Sequence, residues 1–144
     1  MAKRKNKRKA VKIRKLTERP FNAGTQTKAA FFGMLKNALR RLSMYWKPIA
    51  LCKLNARRAY KGPNKRRKWE YQCAECKNYF PGEKISVDHI IPVGSLGSFE
   101  DIEGVVKRLF VEVDQLQCLC SGCHDIKSQK ENNERRNAKI GTKL

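Results

Sequence analysis

Two kinds of residue are scarce in this 144-residue chain: residues 1–68 hold a single acid, Glu18, and the whole sequence has two histidines, His89 and His124. The lack of acids excludes an ordinary mixed-charge surface for the first half. Its 23 Lys and Arg give it +22, whereas residues 69–144 carry 10 bases against 12 acids, or −2. Self-repulsion on that scale opposes compaction unless a polyanion is present, so the first half reads as a nucleic-acid-binding surface. An anionic membrane surface is the rival partner, and further absences count against it. No apolar run approaches the roughly 18 residues of a membrane span, and the sequence has no lipidation signal and no apolar segment after its N-terminal charges. Without a secretory signal the six cysteines are expected to stay reduced in the cytoplasm rather than to form three disulfides.

Four of those cysteines stand in two Cys-x-x-Cys pairs, Cys73/Cys76 and Cys120/Cys123. Each tight turn offers two thiolates to one ion, and two such turns complete the tetrahedron of a structural zinc site. A Cys₃His set that uses His124 is the alternative ligand choice. Cys52 and Cys118 are left over, and the reading for both is a small buried apolar side chain.

The run at 3–15 (KRKNKRKAVKIRK) is nearly continuous positive charge with too little apolar surface to bury, so residues 1–25 read as a flexible basic arm that contacts DNA. Phe31, Leu35, Ala38, Leu39, Leu42 and Trp46 then recur at helical spacing, with Lys36 and Arg40 on another face and Thr25 or Thr27 as the cap. Pro48 fits the first turn of a second helix, expected to run to Gly62 and to carry Lys53, Arg57 and Arg58 on one side. Residues 26–68 therefore read as a basic helical hairpin that binds DNA. The run Lys65, Arg66, Arg67 and Lys68 closes it as a linker able to lie along phosphates.

Residues 69–144 form the next domain. Residues 69–80 read as a zinc knuckle shaped like a hairpin, residues 85–91 (ISVDHII) as a strand holding Asp88 and His89, and residues 115–119 as a second strand. Ser98 and Asp101 resemble a capping box before a short helix. A polar helix follows from His124, whose place in the first turn favours an anion. The fold class is α+β.

The segments Asp88-His89-Ile90-Ile91-Pro92 and Gln115-Leu116-Gln117-Cys118-Leu119-Cys120-Ser121-Gly122-Cys123-His124-Asp125-Ile126-Lys127 together resemble the HNH endonucleases. The resemblance covers residues 69–131 and leaves out the basic half. It implies a ββα-metal core with a four-cysteine zinc site, the first strand and its loop carrying the acid and first histidine and the helix carrying the last. His89 is then the general base that deprotonates the attacking water, and Asp88 and His124 hold one divalent cation. Mg²⁺ or Mn²⁺ is expected, and a mixed oxygen and nitrogen pair also accepts Ni²⁺ or Zn²⁺. Lys127, three residues beyond His124 and so on the same helical face, is expected to contact a phosphate along with the basic residues of the first half. Gln115 completes the catalytic set but departs from the family, which has Asn there with a side-chain amide that braces the loop bearing the first histidine. Glutamine keeps the same donor and acceptor on a longer stem, so the brace is expected with altered geometry.

The chain is thus similar to the small free-standing HNH endonucleases of bacteriophages, including homing enzymes and enzymes that work beside the packaging machinery and other phage proteins. The expected activity is metal-dependent nicking or cutting of double-stranded DNA, as a monomer or a DNA-induced dimer, in the cytoplasm of a bacterial host. The competing expectations are a non-catalytic zinc-ribbon protein that binds nucleic acid and a restriction-type enzyme with the same chemistry.

Overall fold

The computed structural model describes residues 17–141, so the basic run at 3–15 lies outside the described residues. The described chain is mixed α+β. Thr27 caps helix α1 (Lys28–Ser43) by accepting from the Ala30 N–H at 3.1 Å. The other candidate cap, Thr25, donates to the Asn22 carbonyl of the preceding turn instead. Helix α2 (Lys47–Asn55) carries Pro48 in its first turn, where no N–H is needed.

The second helix is shorter than its spacing predicts. It stops at Asn55, and residues 57–59 form strand β1 (Arg57–Ala59), antiparallel to β2 (Trp69–Gln72). Arg57 and Arg58 therefore lie on a strand. Pairing overrides helical propensity here because Arg58 meets Glu70 at 2.7 Å across the ladder, and the Arg57 and Arg58 guanidinium groups stack on Trp69 and Tyr79. Residues 60–68 are accordingly the loop of a β-hairpin and not a linker between domains. Strand β3 (Tyr79–Phe80) completes this sheet, with the Cys73–Cys76 turn between β2 and β3.

A second, two-stranded sheet pairs β4 (Ile85–His89) with β5 (Leu116–Cys120), placing Asp88 opposite Gln117 and His89 opposite Leu116. Between them lies helix α3 (Asp101–Leu109), and β5 runs directly into helix α4 (Ser121–Gly141). The anticipated capping box is half formed, since the Asp101 carboxylate accepts from the Gly97 and Ser98 N–H groups at 2.9 and 3.0 Å. Gln115 falls in a short 3₁₀ turn before β5 and not on the strand.

Two apolar clusters hold these parts together. The first gathers Cys52, Cys73, Ile85, Leu116, Cys118 and Leu119, so α2 shares a core with the cysteine-bearing segments across the boundary expected at residue 68. Cys52 and Cys118 are both buried, with their sulfurs 4.0 Å apart. In the second cluster Phe32 of α1 packs with Val93, Leu96, Val105 and Leu109, flanked by a set of rings in which Phe21 stacks on Phe31 at 4.4 Å. Each such buried side chain contributes about 1.5–3 kcal/mol. The consecutive helices α1 and α2 thus dock on different cores, and the expected hairpin of two mutually packed helices is replaced by a corner. That corner sets α1 over the open end of β4.

Candidate functional site

The β2–β3 turn and the β5–α4 junction bring Cys73, Cys76, Cys120 and Cys123 together, with their ligand atoms all within 4.8 Å of one another. Four sulfurs around zinc at about 2.3 Å sit about 3.8 Å apart, and the Cys76 and Cys120 sulfurs are 4.0 Å apart. The cluster is able to hold a structural metal such as zinc. Burial opposes ionisation of Cys73, but N–H groups from Cys120, Cys76 and Glu75 outweigh it and bring the thiol down to about 6. Contact with the Cys120 sulfur pushes Cys123 up to about 12. A cation bound among these sulfurs would displace the thiol protons they still carry. His124 is not part of this group.

Asp88 and His89 occupy successive positions of β4, so their side chains leave opposite faces of the strand. His89 reaches toward α3, where Nε2 lies 3.0 Å from the Leu109 carbonyl. A carbonyl can only accept, so Nε2 carries the proton and Nδ1 keeps the lone pair. Asp88 reaches toward α4, and its Oδ2 accepts from Lys127 Nζ at 2.6 Å. The same ammonium donates to the His89 carbonyl at 2.7 Å and forms an ion pair with Glu131 at 2.6 Å. Burial opposes the charge of Lys127, but these acceptors outweigh it and raise its pKa above the ordinary lysine value.

Asp88, His89 and His124 nevertheless line one cleft of about 560 Å³, because His89 ends its strand and His124 sits in the first turn of α4. The opposite wall comes from α1 and its end, with Asn37, Arg40, Arg41, Ser43 and Met44. Among the described residues the four cysteines are the one group of three or more His, Cys, Asp or Glu side chains whose ligand atoms gather within 4.8 Å. The acid and the two histidines share a cleft without forming such a cluster.

No family model, curated protein or solved structure matches the chain.

The brace expected from the Gln115 side chain is made by its backbone. The Gln115 carbonyl accepts from the Ile90 N–H at 3.0 Å and fixes the chain as it leaves His89, while the side chain is exposed. Any residue offers that carbonyl, so this contact does not depend on Asn or Gln.

Several bases expected at a nucleic-acid surface are engaged within the protein. Lys36 donates to the Gly94 carbonyl at 2.5 Å, and its pKa is lowered, first by burial and then by the charges of Arg40 and Arg135. Gly94 has φ +85°, which L side chains rarely adopt, and this conformation offers the carbonyl to Lys36. Lys53 donates to the Gly82 carbonyl at 3.0 Å and lies over the Tyr71 ring. Arg67 stacks on Tyr60, while Arg40, Lys65, Arg66 and Lys68 are exposed. Arg41, a cleft residue that the sequence reading passed over, is exposed as well. Its sequence signal was its place beside Arg40 in the basic stretch 26–68. The roles of the Leu109 carbonyl and of Glu131 depend on tertiary placement, although the Lys127–Glu131 spacing of four was legible. None of the described helices is long and apolar enough to cross a membrane.

Proposed function

We propose that the chain is a metal-dependent DNA endonuclease of the HNH kind, with the cleft between α1 and the β4 end as its active site. The observation that carries this reading is the shared cleft, in which Asp88, His89 and His124 face exposed Arg40 and Arg41. His89 is suited to take a proton from water through Nδ1, because its Nε2–H is committed to the Leu109 carbonyl. Asp88 and His124, an oxygen and a nitrogen donor, would hold a divalent cation such as Mg²⁺ or Mn²⁺, or Ni²⁺ or Zn²⁺. Such an ion neutralises charge on the scissile phosphate and the departing oxygen. Lys127 must first exchange the Asp88 carboxylate for another acceptor, and a DNA phosphate is one. Arg40 and Arg41 draw the duplex to the cleft. The four-cysteine cluster joins the two sheets and fixes the start of α4, and with it His124. A bacteriophage or homing role follows from the resemblance alone.

The Lys127–Asp88 pair favours a second reading, a zinc-ribbon protein that binds nucleic acid without cutting it. Plasmid nicking by the full chain with Mg²⁺, Mn²⁺, Ni²⁺ and Zn²⁺, beside His89→Ala, separates the two. The nuclease reading expects cleavage by wild type in at least one metal and its loss in the variant. Retained DNA binding without cleavage in any metal would establish the second reading.

A further inference from the structure

We propose that the corner between α1 and α2 is a wedge that unstacks duplex DNA at the mouth of the cleft, so that the DNA is bound kinked. The inference rests on the nuclease reading and names the form of its substrate. Leu42, Met44 and Tyr45 are 62%, 75% and 89% exposed. Single exposed apolar side chains are ordinary, but three within four residues form a patch.

This patch lies between two anchored residues. Buried Ser43 donates its hydroxyl to the Arg40 carbonyl at 2.8 Å. On the other flank Trp46 donates its Nε1–H to the Val111 carbonyl at 2.8 Å and meets Phe110 edge-on at 5.5 Å. Met44 and Tyr45 thus stand exposed between a buried Ser43 and a docked Trp46. Met44 also lines the cleft that holds Asp88, His89 and His124.

Charge selects the occupant. Arg40, Arg41 and Lys47 surround the patch and are exposed, and no acid lies between Glu18 and Glu70. The occupant must therefore be strongly anionic and must also offer flat apolar surface to the tip. Duplex DNA offers both, with phosphates for the arginines and base steps that an inserted Met or aromatic side chain parts. An anionic bilayer would satisfy the charge, yet it has no use for a carboxylate and two imidazoles in the same cleft.

The test uses the full chain without added metal, so cleavage plays no part. Duplexes carry 2-aminopurine, whose fluorescence rises on unstacking, and are either perfectly paired or contain one mismatch. Wild type is expected to raise the fluorescence and to bind the mismatched duplex about tenfold more tightly, since an already weakened step costs less to open. The double variant Met44→Ala/Tyr45→Ala is expected to melt like wild type and to keep its salt dependence, while losing both the signal and the preference. Binding without a fluorescence rise, or an unchanged signal in the variant, would overturn the wedge. Binding to anionic phospholipid vesicles that the same variant abolishes, with no unstacking of DNA, would assign the patch to membranes and overturn it too. Unstacking by a chain that never cuts would sink the nuclease reading and leave the wedge, whereas normal cutting without unstacking would do the reverse.

Discussion

Replacing Cys76 with serine isolates what a metal at the four-cysteine cluster contributes to the fold. Cys76 is exposed, so the change opens no cavity, and an ordinary substitution there stays within about 0.5 kcal/mol. A metal clip loses far more. Cys76 and Cys120 are 44 residues apart, and releasing a constraint on a loop of that length returns about 4 kcal/mol of conformational entropy to the unfolded chain. Domains of this size are stable by about 5–15 kcal/mol, so a quarter or more of the total is at stake. With a urea m-value of about 1.5 kcal/mol/M, the unfolding midpoint should fall by about 2.7 M. The assay is equilibrium urea unfolding of wild type and Cys76→Ser, each with and without a strong chelator. Chelator should bring wild type down to the variant, and the variant should ignore it. Coincident curves for both proteins in both conditions would show that the four thiols cluster without an ion and would refute the reasoning.

Trp46→Phe keeps the ring on Phe110 but strands the Val111 carbonyl, so thermal or urea unfolding should show a loss of about 1–3 kcal/mol. A loss well under 0.5 kcal/mol would mean that the corner is not pinned as described. Lys36 makes a prediction in pH. Its folded-state pKa lies below the ordinary lysine value, so between the two the unfolded chain binds more protons and stability rises with pH across that window. Urea midpoints of wild type relative to Lys36→Gln should therefore climb as pH approaches about 10.4, and a flat or falling difference would contradict the shift.

Patterns confined to a few residues were legible in the sequence. The two Cys-x-x-Cys turns, the β-branched run around Asp88 and the apolar spacing of α1 each encode a local geometry that the fold keeps. The end of α2 was not legible, because Arg57 and Arg58 take their conformation from Glu70, Trp69 and Tyr79, and helical spacing does not register a partner that far along the chain. The bond between Lys127 and Asp88 was hidden for the same reason. Sequence spacing placed Lys127 beside His124 on a helix face, but only the packing of α4 on β4 puts the carboxylate against it. The cleft wall depends on α1 and α2 docking on separate cores, which turns Arg41 and Met44 toward β4. Gln115 shows the converse case: its side chain drew attention, while its carbonyl does the bracing.

Chemical rescue tests the central claim, that His89 removes a proton in the cleft, most directly. His89→Ala should lower the plasmid nicking rate by about 10²–10⁴ while DNA binding persists, and added imidazole should restore part of that rate in proportion to its neutral form. Nicking by His89→Ala at the wild-type rate, unaffected by imidazole, would contradict the account.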